Sequence, residues 1–206
     1  MIIKVCGMGN PEIMLKLSAL DINMLGFIFY NKSVRFVEGK IHPEELLNIN
    51  ENILKTGVFV NATESEILNT AERWHLDSVQ LHSNESPDLC EKLKNKGFIV
   101  IKAFNLTVNN NFKDFINVCD YFLFDTPTVL HGGSGNKFDW NLINNYNETA
   151  PFLLSGGLNE NDVGDILAIK HPSFAGIDIN SKFEISPGIK NYKMISDFVL
   201  KLRLKE

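Results

Sequence analysis

The sequence predicts a closed barrel of eight parallel strands alternating with helices, the (β/α)8 or TIM-barrel class, built as a single domain over residues 1–206. Two observations lead there. Short runs rich in Val, Ile and Phe recur along the chain and are apolar on both faces, as parallel strands covered on both sides require. Between them lie stretches with apolar residues three and four apart, the spacing of helices with one buried stripe. Eight such runs in strict βα alternation have one economical closure, and 206 residues is near the lower size limit of that barrel. An open doubly wound sheet is the alternative. It usually carries a G-x-G-x-x-G first turn, of which "CGMGNP" holds only the first half.

The strand runs in order are "IIKVC", "MLGFIFY", "GVFVN", "DSVQLH", "FIVIKAF", "DYFLFD", "PFLLSGG" and "FAGIDI". Helical spacing follows in Ile13, Leu17 and Leu20, in Leu46, Leu47 and Ile53, and in Ile67, Leu68 and Ala71. Start signals precede several helices: Asn10 with Pro11 and Glu12, His42 with Pro43 and Glu44, Ser86 with Pro87 and Asp88. A polar cap, a proline at the first helical position and then an acid suit a helix N-terminus both sterically and electrostatically. The final segment "YKMISDFVLKLRLKE" is helical as well.

The composition, 44 % hydrophobic and 22 % charged, is that of an ordinary water-soluble globule. With a net charge of −5 and scattered lysines there is no basic footprint for nucleic acid or an anionic membrane. No apolar run approaches the roughly 20 residues of a membrane helix, and the first residues lack a basic n-region with an h-region and cleavage site. The expectation is a cytoplasmic protein. The three cysteines, Cys6, Cys90 and Cys119, lack disulfide or zinc spacing and are expected as reduced thiols, with Cys90 and Cys119 as packing residues.

In such a barrel, functional side chains gather where strands end at the C-terminal face. Cys6 ends the first run and Asp125 the sixth, ahead of the Gly-rich "HGGSGNKFDW". Alone, Cys6 reads as a small buried hydrophobe and Asp125 as a structural acid. Together at one rim they form a proton-transfer pair: a thiolate takes a proton, and burial keeps a carboxylic acid ready to give one. With no triad partner evident near Cys6, isomerisation is favoured over acyl transfer. The glycines of "LLSGGLNENDV", Gly156 and Gly157, let backbone N–H groups approach an anion, with a helix expected to begin near Asn159. Asp178 ends the eighth run, and the following "SPG" offers a second helix start. Arg35, after the second run, is either a solvated cation or a guanidinium aimed at a ligand carboxylate or phosphate.

Taken in order, "KVCGM", "GFIFYNKSVRFV", "VQLHSNE", "IKAF", "FLFD", "GGSGNKFDW", "LLSGGLNENDV" and "GIDINSKFEISPGIK" resemble the phosphoribosylanthranilate isomerases of tryptophan biosynthesis over essentially the whole chain. The resemblance implies an Amadori rearrangement of a phosphorylated aminoaldose without cofactor or metal, in a monomer or homodimer. It implies Asp125 as general acid and Cys6 as general base. It further implies Arg35 on the anthranilate carboxylate, Asp178 near the bridging nitrogen, Gln80 and His82 lining the site, and Gly156, Gly157, Asn180 and Ser181 at the phosphate. Three positions depart from the family pattern: Val34 stands where Pro is common, Ser83 where Gly follows "QLH", and Lys182 where Gly is usual. Lys182 would be strained if its position needed a positive φ.

Two neighbouring readings stay open. Other phosphosugar barrels fit the fold, but the related isomerase of histidine biosynthesis usually pairs two aspartates, and pentose-phosphate epimerases need metal-binding histidines. A barrel that only binds a phosphorylated ligand is the non-catalytic alternative.

Overall fold

The computed structural model describes residues 1–106, 111–125 and 140–205, without the side chain of residue 141; most of the Gly-rich stretch 131–140 therefore lies outside the described residues. Eight parallel strands close on themselves in chain order. They are β1 (Ile2–Val5), β2 (Met24–Ile28), β3 (Leu54–Phe59), β4 (Ser78–Leu81), β5 (Ile99–Asn105), β6 (Tyr121–Asp125), β7 (Phe152–Leu154) and β8 (Phe174–Ile179). Each coincides with one of the expected apolar runs. Closure is made by β8 against β1, where Ile2 to Val5 pair with Gly176 to Ile179.

Around the barrel run α1 (Pro11–Leu17), α2 (Glu64–Arg73), α3 (Pro87–Asn95), α4 (Val163–Ala168) and α5 (Tyr192–Arg203). Several of their starts carry side-chain caps. The Asn10 side chain accepts from the Ile13 N–H at 2.9 Å, Ser86 from Leu89 at 3.3 Å and Asn191 from Met194 at 3.1 Å.

The strict alternation with full helices is corrected at three places. After β2, β5 and β6 the connections contain 3-10 helices, Pro43–Asn48, Phe112–Asp114 and Trp140–Asn145. In the first of these Leu46 is buried but Leu47 is 62 % exposed, so those leucines share no buried face and Ile53 belongs to the approach to β3. In the second, Phe112 packs its ring 5.0 Å from Phe104 and 5.9 Å from Phe122, covering the strands with aromatic area in place of helical turns. The helix expected near Asn159 begins at Val163, because the Asn159 N–H and amide both donate to Asp162 Oδ2 at 2.8 Å and form a polar turn first. The "SPG" segment starts no helix; it turns the chain between β9 (Glu184–Ser186) and β10 (Ile189–Lys190), an antiparallel pair.

Two apolar cores result. The larger lies between strands and helices, and the smaller fills the barrel with Met24, Ile101, Leu123 and Leu153, flanked by Ile2, Leu54 and Tyr121. Above the smaller one the interior turns polar, beginning with Thr56 Oγ1 and Ser78 Oγ 2.6 Å apart. Among the described residues no helix is long and apolar enough to cross a membrane.

Candidate active site

Cys6 follows the last residue of β1 and continues its pairing, its N–H donating to Ile179 O at 2.9 Å. Two glycines make room for it. A Cβ on Gly26, across on β2, would stand 2.7 Å from the Cys6 Sγ, so only glycine admits the thiol there. Gly7 has φ +79°, and a Cβ on it would meet Asn180 Oδ1 at 2.7 Å and Arg35 Cδ at 2.9 Å. The glycine behind the thiol thus lets β1 turn while two polar side chains close over it.

Beneath Cys6, on the same inward face of β1, lies Lys4, which the sequence reading did not single out. It is fully buried, with Nζ 3.0 Å from Asp178 Oδ1. Burial pushes the Cys6 thiol up from its ordinary range, opposed by Lys4 and Lys190 and reinforced by the Asp178 charge. Burial likewise pushes the Asp178 carboxyl up, against the pull of Lys4, with the Asp125 charge adding to the rise. Lys4 itself is held high by Asp178 and Cys6, which outweigh its own burial.

Asp125 closes β6 and its carboxylate faces β4, with His82 Nε2 3.3 Å from Oδ2. The Gln80 amide nitrogen is 2.9 Å from His82 Nδ1. With the amide nitrogen facing it, Nδ1 accepts, and Nε2 is the ring nitrogen that stands nearer the Asp125 carboxylate. Asp125 is 36 % exposed, so the burial expected for it is only partial. The loop after β4 is pinned from outside the barrel. Glu85 accepts from the Ser83 N–H at 2.8 Å and the Asn61 N–H at 3.0 Å, while buried Lys102 donates to Glu85 at 3.2 Å and to the Ser83 carbonyl. Lys102 and Glu85 also escaped the sequence reading.

Arg35 meets an anion of its own chain. Its Nε lies 2.9 Å and 3.0 Å from the two Glu184 oxygens, and its Nη2 donates to Oε2 at 2.6 Å. The bidentate grip fixes the guanidinium plane and leaves N–H groups facing elsewhere. Glu184 also accepts from Lys190 Nζ at 2.7 Å and from the Gly188 N–H at 3.0 Å. Burial alone would raise the Glu184 carboxyl, but Arg35, Lys190 and Gly188 together hold it low. Burial pulls Lys190 below the usual lysine range despite Glu184. Lys190 further donates to Asn180 Oδ1 at 2.6 Å, so this expected phosphate-turn side chain is already tied to the β9–β10 hairpin.

Gly156 and Gly157, beyond β7, have φ of +86° and +71°, the left-handed backbone expected of an anion-binding turn. Ser181 opens a 3-10 helix, Ser181–Phe183, on the neighbouring strand end. Among the described residues the only non-glycine positions with positive φ are Asn61 and His75, so neither Ser83 nor Lys182 is strained by standing where glycine is common. Cys90 and Cys119 are buried free thiols in the outer core, as expected of packing residues. The structure therefore gathers Cys6, Asp178, Asn180, Arg35, His82, Gln80 and Asp125 at one end of the barrel, with the Gly156–Gly157 and Ser181 turns on the same rim.

A family model described as N-(5'-phosphoribosyl)anthranilate (PRA) isomerase matches residues 3–201. The chain is 44 % identical over 204 residues to the N-(5'-phosphoribosyl)anthranilate isomerase of Parabacteroides distasonis, covering 97 % of this chain and 92 % of that one. It is similar to the crystal structure of the phosphoribosyl anthranilate isomerase of Thermus thermophilus, with a TM-score of 0.84 at 26 % identity and full coverage of both chains (100 % of each). A second structure, phosphoribosyl anthranilate isomerase in complex with reduced 1-(o-carboxyphenylamino)-1-deoxyribulose 5-phosphate, matches with a TM-score of 0.77 at 31 % identity, over 98 % of this chain and 99 % of that one.

Proposed function

Because this chain belongs to the N-(5'-phosphoribosyl)anthranilate isomerase family, we propose that Cys6 and Asp125 divide between them the proton transfers of its reaction. The enzyme is an isomerase of tryptophan biosynthesis. It converts N-(5'-phosphoribosyl)anthranilate, an aminoaldose, to 1-(2-carboxyphenylamino)-1-deoxyribulose 5-phosphate, an aminoketose. Asp125, as the acid, protonates the ribose ring oxygen, and the ring opens to a protonated Schiff base. Cys6, as thiolate, takes the proton from C2, and the electron pair moves toward nitrogen to give an enolamine. Loss of the C2 hydroxyl proton and gain of one at C1 complete the ketone, so no atom is gained or lost.

The observation that carries this reading is the placement of the two groups: Cys6 directly follows β1 and Asp125 ends β6, so thiol and carboxyl stand at the same C-terminal rim of one closed parallel barrel. His82 supports Asp125 from β4, its Nε2 standing 3.3 Å from the carboxylate. The guanidinium of Arg35, fixed by Glu184, receives the anthranilate carboxylate with its remaining N–H groups. Asp178 stands by the bridging nitrogen, with Gln80 lining the floor. Backbone N–H groups around Gly156, Gly157, Asn180 and Ser181 hold the phosphate, and Lys182, exposed beside them, adds positive charge. In this reading the chain works as one barrel domain over residues 1–206, in the cytoplasm with its phosphorylated substrate.

The test supplies freshly made phosphoribosylanthranilate and follows the change in anthranilate fluorescence. Cys6→Ser and Asp125→Asn each lower turnover by about 10²–10⁴-fold with folding retained, the usual worth of a general acid or base. Near-full turnover in either variant removes the role given to that residue.

A further inference from the structure

A lysine inside a strand of a parallel barrel has no solvated face to occupy, and Lys4 is fully buried. Its ammonium is matched by one carboxylate, Asp178, opposite it in the β1–β8 register. Cys6, two residues further on, projects to the same inward face as Lys4, and the charge of the ammonium acts on its thiol. Buried ion pairs add little net stability over an apolar pair of the same shape, so packing alone gives no reason for a charge at this point.

We propose that Lys4 is a positioning residue for the rearrangement: anchored on Asp178, its ammonium stabilises the thiolate form of Cys6 that removes the C2 proton. The inference rests on the reading of Cys6 as the base. When the thiolate accepts that proton it becomes a neutral thiol, and Lys4 keeps its own proton throughout, so the lysine is neither consumed nor transferred to. Among the described residues the charged groups acting on Cys6 come from three elements: Lys4 on β1, Asp178 on β8 and Lys190 on β10. Asp125 from β6 and His82 from β4 reach it through Asp178, and Arg35 lies against Gly7 on the far side. β2 presents Gly26, which brings no charge.

The experiment measures kcat/KM for phosphoribosylanthranilate from about pH 5 to about pH 11, since that ratio reports the groups of the free enzyme. Lys4→Met moves the limb set by Cys6 ionisation upward by about one pH unit or more and lowers kcat/KM near neutrality by about tenfold or more, one unit being a factor of ten in thiolate fraction. Lys4→Arg keeps the charge and leaves the limb close to its wild-type position. A folded Lys4→Met enzyme whose limb stays in place, or a Lys4→Arg limb displaced as far as that of Lys4→Met, overturns the proposal. If Lys4→Met leaves Asp178 unpaired and does not fold, the same comparison is made between Lys4→Met/Asp178→Asn and Asp178→Asn: a higher limb in the double variant supports the proposal, and coincident limbs overturn it. Cys6→Ser in the same assay separates the two levels. If it retains near-full turnover the base assignment fails, whereas an inactive Cys6→Ser with unmoved Lys4 limbs removes this inference alone.

Discussion

The lower and upper halves of the barrel interior are built on opposite principles. Below, Met24, Ile101, Leu123 and Leu153 interlock at 2 % exposure or less, with no polar atom among their side chains. Above, the barrel presents Lys4, Cys6, Gln80, Asp125 and Asp178. β1 passes from Ile2 to Lys4, and β6 from Leu123 to Asp125, in one inward step of about 6.6 Å. Each apolar side chain buried below contributes about 1.5–3 kcal/mol, while each polar group buried above without a full set of partners costs about 1–3 kcal/mol. The lower half carries stability, and the upper half spends part of it on holding charges where water is scarce.

The largest expected effect tests how tightly the upper half depends on charge pairing. Glu184 neutralises both Arg35 and the buried Lys190, so Glu184→Gln leaves a buried ammonium without its carboxylate. Removing one member of a buried pair costs about 3–5 kcal/mol, and that loss is expected in denaturant unfolding near neutral pH. The sign of its pH dependence follows from the low carboxyl of Glu184. A carboxylate held below its unfolded value contributes stability that is fully present above that value, about 4.3 for Glu, and is lost as pH falls through the folded one. The gap between wild type and variant therefore narrows on acidification below about pH 4.3. A gap that widens there would mean the carboxylate is not the stabilising species.

Leu123→Ala probes the lower half. A buried leucine truncated in a closed core costs about 2–5 kcal/mol, so thermal unfolding moves down accordingly. Turnover, measured well below the new melting temperature, stays within about twofold of wild type, because the cavity opens one layer beneath the site. If kcat falls with stability, the two halves are mechanically coupled and the division is wrong.

How much of this was legible depends on what kind of signal each residue sends. Apolar runs marked every barrel strand, and Cys6 and Asp125 stood out because a polar residue ending such a run has to face the rim. The 3-10 connections were not legible, since Leu46 and Leu47 occur at helical density without sharing a buried face. Lys4 and Lys102 were overlooked because a lysine usually signals solvent. Yet both interrupt runs already read as covered on both sides, "IIKVC" and "FIVIKAF". In a strand with no wet face a lysine has to be paired, as Lys4 is with Asp178 and Lys102 with Glu85. Arg35 could be narrowed only to a ligand-facing or solvated cation. Its partner Glu184 lies far along the chain, and no local pattern links them.

The smallest change in stability is expected where the two halves meet, at Gln80, and it is the sharpest test of their division of labour. The Gln80 amide nitrogen serves His82, but its Oε1 is buried with no hydrogen-bond partner among the described residues. An unpaired buried carbonyl is a cost the fold bears, so Gln80→Leu, close in volume, removes that cost together with one hydrogen bond. Stability then stays within about 1 kcal/mol of wild type and can rise. Activity moves the other way. Without the amide, His82 Nδ1 loses its donor, and the ring is free to rotate away from Asp125. A fall in kcat of about tenfold with little change in KM is expected, the range in which a support for general acid catalysis acts. Unaltered kcat in a variant as stable as wild type would show that the orientation of His82 is not used, and Asp125 would then work without support from β4.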